Sequence, residues 1–322
     1  MRIRSVHSVA FIVLLACCLI GCNLTVFDDL SDCPQGVNFQ FYSQTPCEQF
    51  PYYPSDIRQI RVFAFDERNT LVGEFSDEAV TLSADYWLSA TFRHVGKLTF
   101  VAWGSSDLSA YDFSDFKDGV TSKQEMWVSL RMQERKISSV SSSLYVGLSS
   151  VLLDGHEDLG SVYERVAFNM QELTYQVRFT VKSVPDSFPL DEKFEVKIED
   201  DNGIYDFKGQ IATGTRFEYI AEATHDEDGM LKADFTLMKL AEGRNAIVSI
   251  INKTTKETIY KANLVDDLIM YRGDSEEPPY NLECEHDIPI TLVLTYEKQT
   301  WMLIRATILD WNLVFRPVEL ES

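Results

Sequence analysis

The sequence predicts an all-β protein made of two tandem β-sandwich domains, and three observations carry this. Apolar residues recur with period two in one short run after another, the spacing of strands that turn one face to a core. Turn signals such as Asp201-Asn202-Gly203 and Asp228-Gly229 punctuate these runs, and no long stretch holds helical spacing. The chain has 322 residues, 45% of them hydrophobic, which is more than one sandwich needs and enough for two cores. Polar residues alternating outward argue for antiparallel sheets with one solvated face, not a buried parallel α/β sheet.

The chain opens with a segment that belongs to targeting. Arg2 and Arg4 precede an apolar run from Val6 to Ile20, polar only at His7 and Ser8. That is a charged n-region and an h-region too short to span a bilayer. It ends in Leu19-Ile20-Gly21-Cys22, which has the form of a bacterial lipobox. A small residue before the cysteine gives a signal peptidase access to the bond, and the Cys22 thiol receives a diacylglyceryl group. Residues 1–21 are therefore read as a lipoprotein signal peptide and Cys22 as the lipidation site. The alternative is an ordinary secretory signal cleaved nearby. Three acyl chains exceed the two signals needed for stable anchoring.

Residues 22–36 form a lipid-proximal linker. Of six cysteines, Cys17 and Cys18 leave with the signal and Cys22 carries lipid, so Cys33, Cys47 and Cys284 remain. A Cys33–Cys47 bridge is expected across a loop-like segment containing Pro34, Gly36 and Pro46, with Cys284 free or buried. Three free thiols are the alternative.

The expected strands follow in order. Val37, Phe39 and Phe41 alternate with Asn38, Gln40 and Tyr42; Ile60, Val62 and Ala64 face opposite Arg61, Phe63 and Phe65, and Leu98, Phe100 and Ala102 interleave with Thr99, Val101 and Trp103. Val177, Phe179 and Val181, then Phe194, Val196 and Ile198, alternate with charged residues or threonine. Later runs are 235–238, 246–251, 288–296 and 301–309. The Ser-rich stretch 138–150 is expected to be a loop of the first domain, and the acidic stretch 273–287 a long loop of the second. Leu264 to Met270 is the clearest helical candidate. The near-continuous run 161–184 breaks at Gln171-Glu172, which sets the boundary: an N-terminal sandwich over 37–171 and a C-terminal one over 172–322. No internal sequence repeat is visible.

Charge and motifs exclude several functions. With 29 basic and 50 acidic residues, a net charge of −21, the chain is repelled by nucleic acid and has no polybasic patch for anionic lipid. There is no G-x-S-x-G elbow, phosphate-cradling loop, C-x-x-C or H-E-x-x-H. His94, His156, His225 and His286 lack partners at helical ligand spacing; Cys284-x-His286 is read as incidental. Asp226-Glu227-Asp228-Gly229 lacks EF-hand spacing and is read as a solvated hairpin tip, and Asp200-Asp201 and Asp266-Asp267 are read the same way. Arg272-Gly273-Asp274 is read as a chance tripeptide in a surface loop. Trp87, Trp103, Trp127, Trp301 and Trp311 admit a sugar-stacking platform, with core packing the commoner use for Trp103 and Trp301. No enzyme activity, cofactor or metal is expected.

The segment Phe27-Asp28-Asp29-Leu30-Ser31-Asp32-Cys33-Pro34-Gln35-Gly36-Val37, just behind the lipobox, resembles the opening of the fimbrillin-associated anchor lipoproteins of Bacteroides-type bacteria. Ile60 to Asp66, Phe100 to Gly104 and Ile308-Leu309-Asp310-Trp311 extend the resemblance over almost the whole mature chain. It implies two transthyretin-like, Greek-key sandwiches and a non-enzymatic subunit that anchors or initiates a type V fimbria. The implied partners are a fimbrillin, met by strand addition or domain contact, and the outer membrane, entered through acyl chains on Cys22 with the protein facing the surface. One departure bears on the facing: surface display of lipoproteins in such bacteria goes with acids close behind the lipidated cysteine, whereas here Asn23 to Phe27 are uncharged and the acids begin at Asp28. A glycan-binding surface lipoprotein is the alternative function, and a hydrolase hidden in a sandwich a third. The tail 312–322 either couples the next subunit or completes the second sandwich.

Overall fold

The computed structural model describes residues 35–92, 96–131, 136–154, 161–212, 214–271, 280–309 and 311–314. The signal segment, Cys22, Cys33, His94, His156, the Arg272-Gly273-Asp274 tripeptide and the tail beyond Val314 lie outside them. The first half of the chain runs through β1 (Gln35–Tyr42), β2 (Gln59–Phe65), β3 (Leu71–Asp77), β4 (Leu88–Phe92) and β5 (Gly96–Ser105). Three short strands follow, β6 (Tyr111–Phe113), β7 (Trp127–Leu130) and β8 (Lys136–Ile137), then β9 (Leu144–Leu153), β10 (Tyr163–Asn169) and β11 (Gln171–Glu172). The second half comprises β12 (Thr174–Val184), β13 (Phe194–Asp200), β14 (Ile204–Asp206), β15 (Phe217–His225) and β16 (Leu231–Met238). It ends with β17 (Ile247–Asn252), β18 (Thr258–Asn263), β19 (Asp287–Glu297), β20 (Thr300–Ile308) and β21 (Trp311–Val314).

Two sandwiches share one topology although no sequence repeat announces it. In the first, sheet β10-β1-β4 packs on β11-β9-β5-β2-β3; in the second, one continuous sheet runs β18-β17-β13-β15-β16-β12-β19, joined between β15 and β16 by the Thr224–Lys232 and His225–Leu231 pairs, and its two parts, β19-β12-β16 and β18-β17-β13-β15, enclose the second core. The first strand of each pairs in parallel with a late strand: β1 with β10, placing Phe41 beside Phe168, and β12 with β19, placing Val181 beside Leu292. Parallel pairing of strands far apart in the chain needs long connections, and the intervening strands supply them. The second sandwich adds an antiparallel extension, β20 and then β21, outside β19.

The period-two pattern explains which side chains meet. Val37, Phe39 and Phe41 of β1 point into a core lying wholly between Val37 and Met170. Phe41 stacks on Phe168 with ring centroids 5.2 Å apart, and Phe39 meets Phe100 edge-on at 4.9 Å. Such pairs contribute about 0.5–1.5 kcal/mol beyond their area. On β2 and β5 the second face is apolar too. Ile60, Val62, Leu98 and Phe100 enter the first core, while Phe63, Phe65, Val101 and Trp103 enter a second core shared with the C-terminal sandwich. The expected solvated face is therefore covered, and the cover is the excursion between β5 and β9. Its β7 pairs with β14 and its β8 with β15, so strands from the first half add to the second.

Three local expectations change. The Ser-rich stretch is loop only to Ser143: β9 starts at Leu144 because Leu144, Tyr145 and Val146 are buried, and Ser149 and Ser150 sit where hydroxyls reach water. Asp201-Asn202-Gly203 does not fold β13 back on itself. The strand after it, β14, leaves to pair with β7, and Asn202 is fully buried, donating to the Met238 carbonyl at 2.9 Å and accepting from the Tyr219 hydroxyl at 2.8 Å. Asp228-Gly229 is a hairpin turn, between β15 and β16. Gly229 has φ +72°, and the Asp226 carboxylate accepts from the backbone N–H groups of Asp228 and Met230. The helical candidate is a π-helical turn, Leu264–Ile269, capped by the Asn263 side chain, and its buried Leu264, Val265, Leu268 and Ile269 join the second core.

Asp200 also departs from expectation. It is 1% exposed, not at a solvated tip, and its Oδ2 has no hydrogen-bond partner. Burial pushes its carboxyl up to about 7, raised further by the Asp201 charge, while the Asp201 N–H at 2.7 Å and the Arg244 charge pull it down. The unfolded group titrates near 3.9. The folded state thus holds the proton more tightly, so this group's stability contribution is fully present below about pH 4 and lost as pH rises through 7. We expect Asp200→Asn to be more stable than wild type at pH 8, with the difference shrinking towards pH 4. Urea unfolding at the two pH values checks this; equal differences at both refute it.

Candidate functional site: the junction of the two sandwiches

The residues that join the sandwiches come from two loops. After β1 the chain turns outward, and Ser43 and Tyr52 exchange backbone hydrogen bonds of 2.8 and 2.9 Å that pinch off the loop carrying Pro46 and Cys47. Asn169 at the end of β10 holds the same loop, accepting from the Gln44 N–H and donating to the Gln44 carbonyl, both at 2.9 Å. On the other side, Asn281 starts a turn just before β19. Its side chain accepts from the Glu283 N–H at 3.0 Å, and its carbonyl accepts from the Cys284 N–H at 2.9 Å.

These turns bring Cys47 and Cys284 together in a disulfide with Cα atoms 5.9 Å apart, across 237 residues of sequence. The expected Cys33–Cys47 bridge is thereby corrected: Cys47 is bonded to Cys284, which is neither free nor merely buried, and Cys33 lies outside the described residues. The physical reason is proximity in space. Cys47 sits at the exit of β1 and Cys284 at the entrance of β19, and the sandwiches meet there. Sequence offered only the odd count of three cysteines as a signal, which says that one is left over without saying which.

A cavity of about 90 Å³ lies beside the bond, lined by Pro46, Ser43, Tyr52, Glu172, Tyr175 and His286 among others. Glu172 of β11 is half-buried there, and burial raises its carboxyl above the ordinary value, an effect only partly offset by the Thr174 hydroxyl donating to it at 2.7 Å. The His286 ring lies over Tyr175 with centroids 4.6 Å apart. Its Nδ1 stands 2.8 Å from the Thr174 carbonyl, which only accepts, so Nδ1 carries a proton and donates. Strand β12 is thus tied to the loop through Thr174, through Tyr175 donating to the Leu282 carbonyl, and through the Gln176 N–H donating to the His286 carbonyl at 2.7 Å. Tyr145 of β9 donates to the Asp56 carboxylate at 3.1 Å on the first sandwich's side. The chemistry here is fastening: the Cys284 sulfur is consumed and His286 is engaged by its neighbours.

The other candidate groups stay apart. Asp266 and Asp267 lie on the π-helical turn, where Asp266 accepts from the Gly243 N–H and Asp267 from the Asn263 N–H, both at 2.8 Å. Trp103 is buried in the shared core, while Trp87 and Trp127 are exposed at separate places. Trp301 stacks on Phe188 and leans on exposed Tyr296 at an interplanar angle of 48°, so that pair offers no flat platform. Among the described residues no cluster of three or more His, Cys, Asp or Glu side chains could hold a metal, and no helix is long and apolar enough to cross a membrane.

A double sandwich clasped at one junction, with its polar groups spent on fastening, is the form of a structural subunit. Comparison with known proteins gives the class. The sequence pattern of the fimbrillin-A associated anchor proteins Mfa1 and Mfa2 matches residues 30–316, and the chain belongs to that family. The chain is 30% identical over 307 residues to the minor fimbrium anchoring subunit Mfa2 of Porphyromonas gingivalis, covering 94% of this chain and 92% of that one. Among solved structures, the fimbrial anchor protein Mfa2 from Porphyromonas gingivalis superposes with a TM-score of 0.77 at 29% identity, over 88% of this chain and 99% of that chain. A candidate polysaccharide-binding protein of Bacteroides thetaiotaomicron shares the fold, with a TM-score of 0.70 at 17% identity over 88% and 98% of the two chains. The protein is a non-enzymatic structural protein with a fimbrial role.

The disulfide closes a very long loop, so the chain-entropy account gives it about 5 kcal/mol of stabilisation. Cys284→Ser should lower the urea midpoint, and Cys33→Ser should leave it unchanged. Equal losses in both variants would contradict the Cys47–Cys284 pairing.

Proposed function

We propose that this chain is the lipid-anchored base of a fimbria. Processing at Gly21-Cys22 leaves Cys22 acylated, the acyl chains hold the protein in the outer membrane facing the surface, and the two sandwiches offer the attachment for a fimbrillin by strand addition or domain contact. The observation that carries this reading is the family match from residue 30 to 316, beginning eight residues behind a lipobox cysteine. The relative named as an anchoring subunit supports it over nearly the same span. We place the division between the domains at Gln171/Glu172. Support comes from the first core, which ends at Met170, although β7 and β8 reach across to the second sandwich.

The test is Cys22→Ala. Each buried methylene of an acyl chain contributes about 0.8 kcal/mol, and an acidic protein of net charge −21 has no patch to replace them. The variant should lose label from a fatty-acid precursor and leave the membrane fraction, with fimbriae appearing in the medium. Unlabelled wild type would sink the lipid reading. Fimbriae that stay on cells carrying the released variant would sink the anchor reading.

A further inference from the structure

We propose that the Cys47–Cys284 bond forms a short covalent load path through the molecule, leaving residues 48–283 outside the line of tension between the membrane and the C-terminal strands. The proposal deepens the anchor reading and rests on Cys22 being the membrane attachment.

A pull that enters at Cys22 runs along β1 to Cys47. In a chain without the bridge it would continue through every strand from β2 to β18 before reaching β19, and the first sandwich would have to unravel or lean on noncovalent contacts with the second. The bridge spans a sequence separation of 237 residues, so the pull crosses at once to Cys284 and enters β19 three residues later. The peptide link between the sandwiches at Gln171-Glu172 then carries no load.

The strands at the two ends of this path suit the task. Strand β1 is interior to its sheet, between β10 and β4, and β19 is interior to its own, between β12 and β20. An axial pull on an interior strand loads the ladders on both sides together, in shear, whereas an edge strand can be peeled one bond at a time. Strand β19 is held by nine paired residues of β12 and by eight pairings with β20. The loops that carry the cysteines are braced as well. Ser43–Tyr52 and Gln44–Asn169 hold the Cys47 loop, and the Asn281 turn with the Gln176–His286 hydrogen bond holds the entrance to β19.

The experiment is single-molecule pulling of the mature chain, with Cys33→Ser and one handle on the Cys22 thiol and the other after Ser322. The oxidised protein should stop short of full extension, and adding a reductant during the same pull should release about 800 Å more, the length of 237 residues at about 3.5 Å each. Full extension of the oxidised protein would overturn the proposal. In cells, Cys284→Ser with acylation intact should shed fimbriae at a lower shear than wild type. If that variant fails to accumulate, brief reduction of wild-type cells gives the same comparison. Unchanged shedding by a folded, acylated and unbridged protein would overturn the role of the path in the cell. Fimbriae that stay on cells lacking Cys22 would instead overturn the anchor reading, while the pulling result would stand by itself.

Discussion

The sheet formed by β2 and β5 is apolar on both faces, and the rest of the architecture answers that constraint. Val62 and Phe100 fill the core of the first sandwich while their neighbours Phe63 and Val101 face the opposite way into the second core. A face carrying Phe63, Phe65 and Trp103 left in water would forfeit roughly 1.5–3 kcal/mol for each large side chain. The chain therefore sends out an excursion after β5 whose Tyr111, Met126 and Val128 lie on that face. Because β7 and β8 of the excursion pair with β14 and β15, covering the face also brings in the second sandwich. The arrangement tolerates one cost, a buried Trp103 Nε1 without a hydrogen-bond partner.

The disulfide closes the same junction at a different place. Shared hydrophobic contact resists compression and slip, but noncovalent contact between units yields under sustained pull. A structural subunit of a surface filament experiences pull along its length, and the Cys47–Cys284 bond sits between the first strand of one sandwich and the late central strand of the other. The polar groups around it, Glu172, Thr174, Tyr175 and His286, are engaged with one another and with backbone, which fixes the loops.

Much of this was legible in the sequence where a physical signal is local. Period-two runs in β1, β2, β5, β12, β13 and β19 placed those strands, and the break at Gln171-Glu172 is where β11 lies. Long-range facts were not legible. Alternation cannot tell a solvated face from one covered by a distant segment when that face carries Arg61 beside Phe63, and Arg61 is accommodated over the Phe113 ring at 4.5 Å. Asp200 reads as exposed because its neighbours are Asp201 and Asn202, yet it lies on the same face of β13 as the buried Phe194, Val196 and Ile198. Proximity along the chain favours Cys33 as the partner of Cys47, while the true partner, Cys284, is brought near only when both sandwiches are folded and docked.

Bridging therefore requires docking, since a disulfide needs Cα atoms within about 7 Å. The most direct test is proteolysis of the unreduced native protein under conditions that block thiol exchange, followed by mass analysis of the cross-linked peptides. The account predicts one species joining the peptide of Cys47 to the peptide of Cys284, separated by reductant. A peptide joining Cys47 to Cys33, or an alkylated Cys284 recovered alone, would contradict it.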